Sequence, residues 1–188
     1  VDDLESLRSG AAKADAVVHT AYNHAFTDYG AAAQQDRDAI QAMADALVGS
    51  DRSMVIVSGC GLLAPGRLAT EDSVADRGSY GMNRFASEEV LATYLDRGVR
   101  GSVVRFPTTV HGRGDHNFIP MLIKIAREKG VSAYPGEGGN RWAAVHKDDA
   151  AHLLCMAIES APAGARLHGV AEEGIPVREI AGVIGKHL

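Results

Sequence analysis

Met54-Val55-Ile56-Val57-Ser58 is an unbroken apolar run of strand length, rich in β-branched side chains and stopped by Gly59. A run that does not alternate with polar residues has no solvent face, so it reads as a strand buried on both sides, as in a parallel sheet covered by helices. Upstream, Ile40, Met43, Ala44, Leu47 and Val48 recur at helical spacing and predict a helix over 35–48, stopped by Gly49-Ser50. Further upstream the unit repeats, with a helix over 3–13 and a short buried strand, Ala16-Val17-Val18-His19. Downstream, Ala86, Val90, Leu91, Tyr94 and Leu95 predict a helix over 81–96 that Gly98 ends, before the strand Ser102-Val103-Val104-Arg105-Phe106.

The remainder reads as helix 118–129, strand 131–134, strand 142–146, helix 148–159, strand 166–170 and helix 176–188, with helix starts at Asp148 and Pro176. Alternating strands and helices predict right-handed crossovers and a doubly wound α/β parallel sheet. Gly- and charge-rich loops at 61–79, 111–117 and 135–141 are where ligand-facing residues are expected.

Composition narrows the function. With 188 residues and 46% hydrophobic content the chain can bury one substantial core. A formal charge of −5 gives no basic footprint, so neither nucleic acid nor an anionic membrane is expected as a partner. No apolar run reaches the roughly 20 residues of a membrane span. The first residues do not read as a signal peptide, and the only cysteines, Cys60 and Cys155, are in no metal or disulfide spacing. A cytoplasmic protein acting on a small molecule is the expectation.

The chemistry concentrates between Ser58 and Glu88. A buried strand ends in Ser58-Gly59-Cys60-Gly61, and about 20 residues later Tyr80-Gly81-Met82-Asn83-Arg84 opens a helix with Glu88 one turn beyond. Residues at i and i+4 share a helix face, so Tyr80 and Arg84 are expected to point together, and a nearby permanent cation lowers a phenol's pKa toward the range of proton transfer. Taken alone, Tyr80 reads equally as a packing tyrosine and Arg84 as a solvated helix residue.

Four further stretches stand in a telling order: Asp2-Asp3-Leu4-Glu5, Ala16-Val17-Val18-His19-Thr20-Ala21, Arg105-Phe106-Pro107 with Val110-His111-Gly112, and Asn140-Arg141-Trp142-Ala143-Ala144-Val145-His146-Lys147-Asp148-Asp149-Ala150. With Ser58 and Tyr80-x-x-x-Arg84 they resemble the extended or atypical branch of the short-chain dehydrogenase/reductase superfamily, the NAD-dependent epimerase/dehydratase-like proteins. The resemblance implies a Rossmann-like sheet in residues 1–110 and a small C-terminal substrate lobe in residues 111–188, interleaved with the last sheet elements. It implies NAD or NADP as cofactor, met by Asp2, Asp3, His19, Thr20, Ala21, Tyr80, Arg84 and Pro107. Tyr80 would be the acid/base, Arg84 the cation beside it, and Ser58 or Cys60 the group polarising the substrate oxygen. His111 and Arg141 would meet the substrate, a small and sugar-like carbonyl or alcohol. The expected activity is oxidoreduction, or epimerisation or dehydration through a transient oxidation. A cofactor-binding regulatory protein of the same fold, or an inactive fragment, is the alternative.

Three departures bear on this. Arg84 replaces the family lysine, keeping the charge but being too basic to relay a proton. Cys60 competes with Ser58 for the oxygen-polarising position, and a thiol is the weaker donor. The family's opening strand, Gly-x-x-Gly-x-x-Gly turn and helix, which hold the pyrophosphate, have no counterpart in Gly59-Cys60-Gly61, Gly112-Arg113-Gly114 or Gly136-Glu137-Gly138-Gly139. The chain therefore reads as N-terminally truncated. That leaves Ala16-Val17-Val18-His19 at a sheet edge, where pairing into a homodimer and weak dinucleotide binding are expected. His111, Asp115 and His116 lie close together but lack a third ligand of suitable spacing, so no metal is expected. Arg141 has an ion pair with Asp148 or Asp149 as its alternative role; His146 reads as structural, and Trp142, Cys155, Met156 and Ile158 as packing residues.

Overall fold

The computed structural model describes residues 2–24, 28–76, 78 and 82–188. They form two compact units, residues 1–105 with 152–168 and residues 106–151 with 169–188.

The first unit contains helix α1 (Leu4–Lys13), strand β1 (Ala16–His19), helix α2 (Tyr29–Asp45), strand β2 (Ser53–Gly59), helix α3 (Met82–Ala92) and most of strand β3 (Arg100–Phe106). Its sheet runs β1-β2-β3-β6, where β6 is Arg166–His168. Strand β1 lies parallel to β2, Val17 opposite Met54, and β3 lies parallel to β6, Arg105 opposite His168. The expected Rossmann-like α/β sheet is present, with β1 at its edge. The core gathers Ile40, Leu47, Met54, Ile56, Leu91 and Val99, each 2% exposed or less. Burial of one such side chain is worth roughly 1.5–3 kcal/mol, so an Ile40→Ala cavity would cost about 2–5 kcal/mol.

Local signals set these elements. Asp28 caps α2 by accepting from the Ala31 backbone N–H at 2.9 Å, which starts the helix six residues before the sequence expectation of Gln35. Helix α2 ends at Asp45, leaving Val48 exposed beyond it. Gly98 adopts φ 78°, and a Cβ there would stand 3.1 Å from the Gly49 Cα, so this turn requires glycine. Arg52, just before β2, donates to the carbonyls of Ala11 and Ala12 in the last turn of α1, of its C-cap Ala14 and of Ala46 just beyond α2, at 2.7–3.2 Å. One guanidinium thereby satisfies the C-terminal ends of two helices.

The second unit holds strand β4 (Thr109–His111), helix α4 (Phe118–Lys129), strand β5 (Arg141–His146), strand β7 (Glu172–Pro176) and helix α6 (Val177–Lys186). Helix α5 (Lys147–Ser160) starts in this unit and ends in the first. The sheet order is β4-β5-β7, β4 parallel and β7 antiparallel to β5. Residues 131–134, expected as a strand, form none. Both edges of β5 are taken by β4 and β7, and Val131 and Tyr134 remain exposed. Strand β7 escaped notice because Glu-Glu-Gly-Ile-Pro carries little strand propensity. Cys155 and Met156, expected to pack, are exposed. Phe118 and Trp142 stack edge to face at 4.7 Å, bearing out Trp142 as an anchor.

Candidate active site

In the first unit, helices α2 and α3 bring a cluster of charge to the C-terminal ends of β1 and β2. Asp36 sits in mid-helix on the buried stripe of α2, its side chain 1% exposed. A carboxylate so far from water must be fully bonded, and it is. It accepts from His19 Nε2 at 2.9 Å, from Ser87 Oγ at 2.5 Å and from Arg84 Nη1 at 3.4 Å. Burial opposes its ionisation, but the hydrogen bonds of His19 and Ser87 and the Arg84 charge together hold its pKa below the ordinary carboxylate value.

Arg84 projects from α3 with only 18% of its side chain exposed. Its Nη2 donates to the Val57 carbonyl at the end of β2, and its guanidinium lies 3.8 Å from the centre of the Tyr22 ring. Burial lowers its pKa, and Asp36 counteracts that. Burial also raises the Tyr22 pKa against the pull of Arg84. His24, past the end of β1, is held below its ordinary value first by burial and then by Arg84.

Ser58 and Cys60 differ in what they bond. The Ser58 Oγ is buried with no hydrogen-bond partner among the described residues. The Cys60 thiol donates to the Arg105 carbonyl at 3.6 Å, and burial pushes its pKa up to about 11. Among the described residues Ser58 thus has hydrogen-bonding capacity to spare, whereas Cys60 is a neutral, committed donor.

The remaining expected residues are dispersed. His19 belongs to the Asp36 cluster, and Thr20 and Ala21 are exposed just beyond β1. Asp2 accepts from Gln35 and lines a surface pocket with Leu4, Ala31, Gln34, Gln35 and Asp38. Asp3 is occupied as the cap of α1, accepting from the Ser6 N–H at 2.9 Å. Tyr80 lies outside the described residues. Pro107, His111 and Arg141 belong to the second unit. There His111 stacks on His146, 5.5 Å between ring centres, and Arg141 donates to the Gly174 carbonyl at 2.7 Å. No ion pair of Arg141 with Asp148 or Asp149 is found among the described residues; Asp148 instead approaches His146, at 3.7 Å.

Sequence reasoning missed Asp36, Ser87 and the pairing of Glu88 with Arg105. The signal for Asp36 was available: it falls in phase with Ala32, Ile40 and Met43, so a charge stands on the apolar stripe of α2. A carboxylate at such a position requires buried partners.

The chain belongs to the NAD dependent epimerase/dehydratase family, whose model matches residues 2–168. It carries the Rossmann-like fold expected of the epimerase/dehydratase-like proteins, and NAD is the cofactor of the family it matches. Uncharacterized protein C2A9.02 of Schizosaccharomyces pombe is 45% identical over 189 residues, covering 100% of this chain and 63% of that protein. Uncharacterized protein YLL056C of Saccharomyces cerevisiae is 40% identical over 186 residues, covering 99% of this chain and 62% of that one. The chain thus spans less than two thirds of these relatives. Among solved structures, a dTDP-glucose 4,6-dehydratase from Streptomyces venezuelae with NAD bound superposes with a TM-score of 0.82 at 21% identity, over 97% of this chain and 60% of that one. A UDP-glucose 4-epimerase from Thermotoga maritima gives 0.82 at 15% identity, over 98% of this chain and 65% of that one. At these identities the superpositions establish the fold.

Proposed function

We propose that the protein is an NAD(P)-dependent oxidoreductase or epimerase/dehydratase acting on a hydroxyl or carbonyl carbon of a sugar-like substrate. The observation that carries this reading is the largely buried Arg84 cation, 18% exposed, fixed by Asp36, the Val57 carbonyl and the Tyr22 ring at the strand ends, four residues along the chain from Tyr80. In open α/β sheets, ligands bind beyond the C-terminal ends of the strands.

Nicotinamide dinucleotide, when bound, supplies hydride transfer. The surface pocket beside Asp2 is where this chain would meet the adenine end, and Ser58, whose buried hydroxyl has no partner among the described residues, stands at a strand end where a substrate oxygen would satisfy it. Tyr80 gives or takes the proton of the substrate oxygen. Arg84 favours the tyrosinate through its charge, and Asp36 holds Arg84 in place. Ser58 is favoured over Cys60 for polarising that oxygen, because the thiol already bonds the Arg105 carbonyl. By the family resemblance, His111 and Arg141 would contact the substrate.

In the full-length protein, Tyr80→Phe should lower turnover of an accepted carbonyl or sugar-nucleotide substrate by roughly 100-fold or more, the scale of a lost acid/base group, with cofactor affinity little changed. Arg84→Lys should retain activity. Arg84→Met should lower it and shift its pH dependence to more alkaline values, because removing the cation raises the phenol's pKa. Unaltered turnover in Tyr80→Phe would refute the assignment. A second reading, a cofactor-binding protein without turnover, draws on the same cluster: both terminal nitrogens of Arg84 are engaged by the protein itself, by Asp36 and by Val57. Cofactor binding without hydride transfer across a carbonyl panel would favour it.

A further inference from the structure

We infer that Glu88 and Arg105 are positioning residues, whose buried, forked ion pair fixes helix α3 against strand β3 and so sets the orientation of Arg84. The inference rests on the role given to Arg84 and Tyr80 above, but the geometry behind it is independent of them. Glu88 receives two hydrogen bonds from one guanidinium, Arg105 Nε to Oε1 at 3.0 Å and Nη2 to Oε2 at 2.7 Å. Both side chains are 1% exposed, and Arg105 is among the largest fully buried side chains of the molecule. Arg166, half exposed on β6, lies 3.8 Å from the same carboxylate.

Apolar packing is non-directional, so the stripe of α3 around Leu91 does not by itself specify the helix's rotation and register as sharply as hydrogen bonds do. Two consecutive residues supply that specification. Ser87 ties α3 to Asp36 on α2, and Glu88 ties it to Arg105 on β3. Bonds to two different elements from adjacent positions fix both rotation about the helix axis and displacement along it. Arg84 lies one turn before Glu88 on the same face. With helix side chains reaching about 5–6 Å from the axis, a rotation of about 20° would carry the Arg84 guanidinium roughly 2 Å, enough to break its bonds to Asp36 and Val57. Misplacement by about 1 Å can cost on the order of 100-fold in rate.

Stability alone is a poor account of the pair. Replacing a buried ion pair by apolar residues of similar size is often neutral or stabilising, whereas removing one partner is costly. A forked guanidinium–carboxylate contact adds directional fixation, which a lysine, as a point charge, cannot reproduce.

The test uses the full-length protein and three variants: Glu88→Gln, Arg105→Lys, and the double apolar replacement Glu88→Leu with Arg105→Met. It reads thermal midpoint, kcat and KM for NAD(P)H, and amide hydrogen exchange across residues 82–92. Arg105→Lys should keep KM within about twofold, lower kcat by roughly 10-fold or more, and speed exchange at the start of α3. The double replacement should recover the thermal midpoint lost in Glu88→Gln yet keep kcat low. Wild-type kcat and exchange in Arg105→Lys, or full recovery of kcat together with the midpoint in the double replacement, would overturn the inference. If the wild-type protein turns over no substrate, the functional reading fails by itself. Exchange in α3 then decides the positioning role, and exchange unchanged in all three variants refutes it.

Discussion

In the first unit His19, Asp36, Ser87, Glu88 and Arg105 are all less than one-tenth exposed, whereas in the second His111 is half-buried and Arg141 is exposed with its guanidinium on a backbone carbonyl. The same residue types therefore obey different physics. A buried charge depends on the partners it has, and each partner depends on the others; Asp36 accepts three hydrogen bonds, and Arg105 gives two to Glu88 while its Nη1 has no partner among the described residues. An exposed charge is solvated whether or not a ligand arrives, so changing it costs the fold little. The buried residues bonded to Asp36 and Glu88 in the first unit should thus report on stability and positioning together, and the exposed Arg141 of the second on binding alone.

The largest effect expected from this contrast is at Asp36. Asp36→Ala strands His19, Ser87 and Arg84 together, and removal of one partner from a buried ion pair costs about 3–5 kcal/mol, measurable by urea unfolding. A cost below about 1 kcal/mol would show that these groups find water instead and would dissolve the contrast. The same carboxylate carries a pH signature. Because its folded pKa is depressed, its contribution is fully present above the unfolded carboxylate value and is lost as pH falls through the folded one. Acid unfolding of the wild type should therefore include a component that disappears in Asp36→Asn. Identical acid limbs would place the acid-sensitive group elsewhere.

How much could be seen in the sequence follows the same division. Strands β2 and β3 were legible because each is an apolar run that is mostly buried, and Gly98 announced its own turn; β1 was found as a strand but, at the sheet edge, is only partly buried, with Val18 exposed, because nothing pairs it on one side among the described residues. The second unit was harder. Strand β4 is three residues long and β7 contains two glutamates and a glycine, so their pairing with β5 supplies what propensity does not. At the site, Arg84 was found through its spacing from Tyr80, and Ser58 through its place at a strand end. Asp36 stayed hidden because its meaning lies in three partners from other elements, His19, Arg84 and Ser87, 17, 48 and 51 residues away along the chain. Glu88 and Arg105 each stood near a recognised motif, but their pairing is a tertiary fact.

Arg141 gives the converse, a smaller effect confined to binding. Arg141→Ala in the full-length protein should change unfolding free energy by no more than about 0.5 kcal/mol, the scale of a surface substitution. A phosphorylated or carboxylated substrate should lose roughly 1.5–3 kcal/mol of affinity, the range for a charge-assisted hydrogen bond. Isothermal titration beside urea unfolding separates the two. A stability loss with unchanged affinity would make Arg141 a clamp on Gly174 and assign the second unit the same economy of buried partners as the first.

The smallest effect on the fold, and the sharpest division between fold and chemistry, is expected at Ser58. Its hydroxyl is buried at the end of β2 and has no partner among the described residues, unlike Ser87, which bonds Asp36. A buried hydroxyl without a partner brings the cost of desolvation and no hydrogen bond in return, so Ser58→Ala should leave stability unchanged or raise it by about 1 kcal/mol. Ser87→Ala should lower stability, since it removes a donor from a buried carboxylate. If Ser58 instead serves the oxygen that reacts, Ser58→Ala should still cut turnover by about 100-fold, the scale of a lost oxyanion donor. Cys60→Ala should leave turnover near the wild-type level, because that thiol is committed to the Arg105 carbonyl. Urea unfolding and steady-state kinetics on the three variants test both halves at once. A protein whose kinetics follow Cys60 rather than Ser58 would reverse the assignment of the polarising group, while a clear stability loss in Ser58→Ala would show that this hydroxyl has a structural partner.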